Sequence, residues 1–243
     1  MLITDILKPV TYPLDCQLPM KGRYIDNGEL SNYYPGCPIH MFGRTYSTVE
    51  AAYVAAKNPQ FIVVEDLGET TRTTSFPQYV SDHELQYGLK GLKTLGKKSF
   101  LTDIRPNWDR LNIALMYDFI RQKVGNPKTC TGKRKIHHTV SSHLTTWLLT
   151  TPYDQFIEYS NWGDFRWGAI VNKEGTAATG YNSLGGLYSV LRREILTGAP
   201  AIPEINSSTS DDALMSMQDH LLRNISYLRK HIQNEPEYGI IGV

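Results

Sequence analysis

Helical periodicity, broken by short apolar runs between turn residues, is the strongest constraint on what this chain can fold into. Over residues 107–124, Trp108, Leu111, Leu115, Phe119 and Tyr117 can face inward from one helix. Over residues 211–233, Leu214, Leu221, Ile225, Leu228 and Ile232 stripe one broad side. Residues 184–196 read as a further helix, and 49–57 as another that stops at Asn58-Pro59. Helical patterning also covers 81–100 and 137–151. The apolar runs between these helices are short. Residues 29–47 read as strand, turn and strand, with turns at Pro35-Gly36 and Phe42-Gly43-Arg44. Residues 61–66 read as a strand, 68–77 as a polar threonine-rich loop, and 156–170 as two strands around a glycine turn. Residues 1–25 are proline-broken, suiting an edge strand and an arm. The sum is an α+β fold, dominated by helices and carrying a small β-sheet, with no internal repeat.

The expected organisation is a catalytic domain over residues 1–198, a linker over 199–210 and a C-terminal amphipathic helix and tail over 211–243. Two prolines and a serine cluster mark the linker. The last helix must cover its apolar stripe, either on the domain or against a second chain as a homo-oligomer. With 41% hydrophobic and 20% charged residues, the chain can bury a core without disulfides or structural metal. A net charge of +1 supplies no global field toward DNA or a membrane, so nucleic-acid contact would need a local patch. Cys16, Cys37 and Cys130 are odd in number and widely spaced, as reduced cytoplasmic thiols would be. No apolar run approaches the roughly 20 residues of a membrane span, and the first nine residues show no leader pattern.

Three groups of residues can carry chemistry. The first is Leu30-Ser31-Asn32-Tyr33-Tyr34-Pro35, followed by Thr48-Val49-Glu50-Ala51-Ala52-Tyr53 and Ala55-Ala56-Lys57. The second is Arg105-Pro106-Asn107-Trp108-Asp109. The third contains Glu158, Asp164-Phe165-Arg166-Trp167-Gly168, Gly180-Tyr181-Asn182-Ser183-Leu184-Gly185 and Leu191-Arg192-Arg193-Glu194. In this order the words resemble the NADAR (YbiA-like) family over about residues 27–196. Ala51 departs from it, since the family commonly has histidine there. The resemblance implies an α+β fold and hydrolysis of N-glycosidic bonds without a cofactor. One branch of the family removes ADP-ribose from guanine, including guanine in DNA modified by toxins. That implies an anti-toxin role in bacteria or their phages. Another branch acts on ribosylamino-pyrimidine intermediates of riboflavin synthesis. A third possibility, of a different class, is a non-catalytic module that binds ADP-ribose or NAD.

Glu50 and Lys57 lie seven residues apart, on one helix face with about 10 Å of rise between them. Breaking a ribose C–N bond builds positive charge at the anomeric carbon. A carboxylate there stabilises that charge or activates water. A lysine in a partly dry pocket can lose its proton and form an imine with the opened sugar. The same residues also admit a plain reading. Ser47-Thr48-Val49-Glu50 fits a capping box, and Lys57 suits a helix C-terminus. The resemblance favours the catalytic reading of Glu50 and Lys57.

By the same resemblance Asp164 binds ribose hydroxyls or moves a proton, although a turn aspartate beside Gly163 is the plain alternative. Ser31, Asn32, Trp108, Glu158, Trp167, Gly168, Asn182, Leu184 and Gly185 complete the expected substrate-binding set. For residues 182–186 the physical basis is a helix N-terminus whose amides can meet phosphate, against an N-cap role for Asn182 or Ser183. Lys123, Lys128, Lys133, Arg134 and Lys135 form a basic run. It is either a solvated loop or a DNA contact, chiefly through Lys133, Arg134 and Lys135. His137, His138 and His143 lack carboxylate or cysteine partners at ligand spacing, so no metal is expected.

Overall fold

The computed structural model describes residues 2–13, 30–35, 38–97, 99–125, 144–146, 148–149, 156–158 and 163–232. The fold is α+β, with helices dominant and small antiparallel sheets. Its elements are α1 (Ile3–Ile6), β1 (Val10–Pro13), β2 (Ile39–Met41), β3 (Arg44–Tyr46), α2 (Val49–Ala56), β4 (Ile62–Asp66), β5 (Thr71–Ser75), α3 (Phe76–Tyr87), α4 (Leu92–Leu95), α5 (Asn112–Val124), β6 (Ile170–Val171), β7 (Ala177–Gly180), α6 (Ser183–Thr197) and α7 (Asp211–Ile232). A 3-10 turn, Trp108–Arg110, precedes α5.

Helix α5 is the axis of the core. Every residue from Leu111 to Arg121 is buried, so α5 is covered all round and not on one stripe alone. Helices α2, α6 and α7 pack against it. Each buried Leu, Ile or Phe in this core contributes about 1.5–3 kcal/mol of burial. Its polar residues are paired. Arg121 makes an ion pair with Glu194 at 3.2 Å, and Tyr117 donates to the same carboxylate at 2.8 Å.

The last helix docks on the domain. Leu214, Leu221, Leu222, Ile225 and Leu228 of α7 are buried in the common core, as are Ile202 and Ile205 from the segment before it. Gln218 fixes the register of this docking. Its side chain accepts from the Ile113 amide at 2.9 Å, near the start of α5, and donates to the Asp109 carbonyl at 2.9 Å. An α5 amide without an intrahelical partner is thereby satisfied by α7.

Three small sheets flank the helices. β7 lies between β1 and β6, both antiparallel to it, with Tyr12 opposite Ala178 and Ile170 opposite Thr179. The expected edge strand thus closes a sheet with a strand far along the chain, as the pairing of Val10 with Gly180 shows. β2 and β3 form the expected hairpin, with Phe42 and Gly43 at positive φ in its turn.

Three expectations differ from the structure. The stretch 107–124 is a 3-10 turn, Trp108–Arg110, followed by α5, and not one helix. Residues 71–75 are a strand, not a loop, pairing with β4. The strand is exposed on most of its length, so its threonines carry no apolar alternation. Helix α3 begins at Phe76, with Pro77 in its first turn, and ends at Gly88 (φ 62°), so the stretch 81–100 is two helices.

Candidate active site

The site is built on α2. Glu50, Tyr53 and Lys57 stand at i, i+3 and i+7 and share one face, whereas Val49, Ala51, Ala52, Val54, Ala55 and Ala56 are buried. The start of α2 decides what Glu50 does. Thr48 is the N-cap, accepting from the Ala51 amide at 3.1 Å. The glutamate that serves this helix end is Glu84 of α3, which accepts from the Ser47 amide at 2.8 Å and the Thr48 hydroxyl at 2.6 Å. The capping-box reading of Glu50 therefore fails. The helix starts one residue later than a Ser47 cap requires, and another carboxylate holds the neighbouring donors.

Glu50 is half-buried, and burial raises its carboxyl above the ordinary range. A hydrogen bond from Tyr33 and the charges of Lys93 and Lys57 act against that rise, and Asp164 adds to it. Burial likewise lowers the Lys57 amine, against the pull of Glu50. Acid and amine thus approach each other in proton affinity, as an acid–base pair requires. The Lys57 amine donates to the Gly96 carbonyl at 2.9 Å and lies 5.8 Å from the Tyr53 ring centre.

Aromatic rings enclose this face. Tyr53 lies 5.1 Å from Trp108 and 5.7 Å, edge-on, from Trp167. All three are half-buried, so they keep partial exposure while packing on the core. Trp167 also donates to Tyr53 through its side chain, and burial pushes the Tyr53 phenol up.

The loop before β2 adjoins this face at Glu50. The Glu50 amide donates to the Asn32 carbonyl at 2.9 Å. The Asn32 side-chain oxygen is buried without a hydrogen-bond partner among the described residues. Ser31 shapes the loop, its hydroxyl accepting from the Tyr33 amide at 3.3 Å and its carbonyl accepting from Lys123. Lys123 is 1% exposed, so it does not belong to a solvated basic run.

The turn 164–168 brings in the third group. Asp164 accepts from the amides of Arg166 (3.1 Å) and Trp167 (3.0 Å), which is the turn role, and its charge also reaches Glu50. Arg166 pairs with Asp109 and donates to Asn112 at 2.9 Å, clamping the turn to the start of α5.

Residues 182–185 form a layer behind that turn. Asn182 is buried and its side chain is committed, donating to the Phe156 carbonyl at 2.8 Å and accepting from the Glu158 amide at 2.9 Å. The amides of Ser183 and Leu184 are taken by the carbonyls of Arg166 (3.3 Å) and Trp167 (3.1 Å). The phosphate reading of this helix start is therefore corrected: protein carbonyls occupy these amides. The glycines have packing reasons too. A Cβ on Gly185 would stand 1.9 Å from the Phe156 carbonyl, one on Gly186 2.6 Å from Ile225, and one on Gly168 2.6 Å from the Glu158 carbonyl. Glu158, Gly168, Asn182, Leu184 and Gly185 thus support the Asp164–Trp167 turn from behind.

Glu50, Lys57, Asp164, Trp108 and Trp167 are brought together, with Ser31 and Asn32 in the adjoining loop. Tyr33, Tyr53, Lys93, Gly96 and Arg166 join them without having been singled out. Tyr53 was discoverable, since it falls on the Glu50–Lys57 face. Lys133, Arg134, Lys135, the three nearby histidines and the three cysteines lie outside the described residues. Among the described residues no helix is long and apolar enough to cross a membrane. No protein-family model, curated protein or solved structure matches this chain.

Proposed function

We propose that the chain is an N-glycosidase of NADAR type that removes ADP-ribose from guanine bases, on nucleic acid. The observation that carries this reading is the half-buried α2 face of Glu50, Tyr53 and Lys57, where burial moves acid and amine toward each other and Glu84 relieves Glu50 of capping. Lys93 beside this face, with Lys90 and Lys97 exposed on the same segment, suits a substrate bearing phosphates. Tyr53, Trp108 and Trp167 supply ring surface for a base.

In this mechanism the bond between ribose C1 and the base nitrogen breaks, its electron pair leaves with the base, and the base nitrogen takes up the proton that Lys57 gives up on becoming neutral. Glu50 stabilises the positive charge at C1. The neutral Lys57 amine adds to C1, and opening of the ring, with protonation of its oxygen, gives an imine. Water then adds to C1 and Glu50 accepts its proton. Glu50 passes that proton to the Lys57 nitrogen, and the C1–Lys57 bond breaks as the new hydroxyl becomes the sugar's carbonyl and its proton returns to the amine.

The test is parallel incubation with guanine-ADP-ribosylated DNA, thymine-ADP-ribosylated DNA and a ribosylamino-pyrimidine phosphate. Release of ADP-ribose from the guanine substrate alone is expected, and it should be lost in Glu50→Gln. Turnover of the pyrimidine alone would move the protein to the riboflavin-type activity. Binding of ADP-ribose without turnover of any substrate would make it a binding module.

A further inference from the structure

The glycine that follows α4 has no conformational reason to be glycine. Gly96 sits at φ −85° and ψ 2°, a backbone geometry open to other residues. What it lacks is space. A Cβ built on Gly96 would stand 2.8 Å from the Lys57 amine and 3.4 Å from each of the two carbons preceding it, and these are its three nearest atoms. The same residue's carbonyl accepts from that amine at 2.9 Å. Lys57 therefore lies across the bare Cα of Gly96 and is held by its carbonyl. Helix α4, one turn long, packs against α2 and also carries Lys93, whose charge reaches Glu50.

We propose that Gly96 is a positioning residue that seats the Lys57 amine, and that α4 is the element that sets where this amine stands relative to Glu50. The assignment rests on the N-glycosidase reading for its consequence in catalysis, but the seat itself does not. The groups that face the amine are Glu50 and the Tyr53 ring from α2 and the Gly96 carbonyl from α4, with Lys93 and Asp164 one step further out around Glu50. A carbonyl that accepts from an ammonium favours the charged form, so it partly offsets burial. A methyl group at Gly96 would collide with the flexible end of one side chain and with no backbone among its nearest neighbours. The fold should therefore tolerate it, while the amine must move off its acceptor.

The experiment is Gly96→Ala, with Thr94→Ala on exposed Thr94 of the same helix as control. Labelling of Lys57 by an amine-reactive reagent is followed by mass spectrometry across pH, which requires no turnover. The expected result is an unchanged melting temperature and a labelling midpoint displaced downward by about half a pH unit or more in Gly96→Ala, unmoved in Thr94→Ala. Turnover of ADP-ribosylated guanine should fall roughly tenfold to a hundredfold, mainly in kcat. An unchanged midpoint overturns the seat. So does failure of Gly96→Ala to fold, because the glycine would then serve packing and not one amine. If the native protein turns over no substrate while the midpoint still moves, the seat stands and the N-glycosidase reading falls.

Discussion

Glu50 and Lys57 carry opposite perturbations from one cause, and the sign of each fixes what pH should do. Burial raises Glu50 and lowers Lys57. A carboxyl raised in the folded state adds stability at low pH, and that contribution is lost as pH rises through its folded value. Glu50→Gln should therefore melt higher than the native protein at pH 8 and no higher at pH 4, by differential scanning calorimetry. Its turnover should nevertheless fall by roughly 10²–10⁴-fold, the usual scale for a lost acid–base group. Stabilisation together with inactivation separates a catalytic carboxylate from a structural one. Glu84 shows the contrast: it is buried and accepts from Ser47 and Thr48, so its loss should cost stability. The sequence placed Glu50 and Lys57 on one face, because helical spacing alone does that. It could not reveal Gly96 or Lys93 as their neighbours, since those contacts cross from α2 to α4 and leave no local pattern.

At the scale of elements, the start of α2 is the joint on which the site depends. Thr48 caps its own helix and donates to a carboxylate of α3. Thr48→Ala should cost about 1–2 kcal/mol in urea unfolding, the range of a lost N-cap. Thr48 and Glu84 act as one unit, so Thr48→Ala combined with Glu84→Gln should cost less than the two single changes added together. Strict additivity would mean that the two groups stabilise the fold independently. Helices α2, α5, α6 and α7 were legible from apolar spacing and from Pro, Gly and Asn at their ends. Strand β5 was not, because its exposed threonines alternate no apolar face and only pairing with β4 makes them a strand. The start of α6 misled for a related reason. A free helix N-terminus and a helix N-terminus filled by Arg166 and Trp167 carbonyls look the same in sequence.

At the scale of the whole molecule, α5 and α7 hold the halves of the site together. Gln218 of α7 and Arg166 of the 164–168 turn both bond to the Asp109 carbonyl, which lies beside Trp108. Asp118 of α5 accepts from Gln122 and from the Ile205 backbone, which joins the segment before α7 to the core. Burial raises Asp118 from 3.8 to about 6. Above pH 6 this buried charge costs about 3 kcal/mol, relieved as pH falls from 6 toward 4. Asp118→Asn should accordingly raise the melting temperature at pH 8 and flatten its dependence on pH over that window. A variant as pH-dependent as the native protein would place the titrating group elsewhere. In the proposed N-glycosidase these contacts hold one amine and one carboxylate near a ribose carbon, and borohydride trapping tests that proposal most directly. Added during turnover of guanine-ADP-ribosylated DNA, borohydride should leave a reduced ADP-ribose adduct on Lys57, found by peptide mass spectrometry, and Lys57→Arg should give neither adduct nor turnover. An active Lys57→Arg protein with no adduct in the native protein would contradict the account.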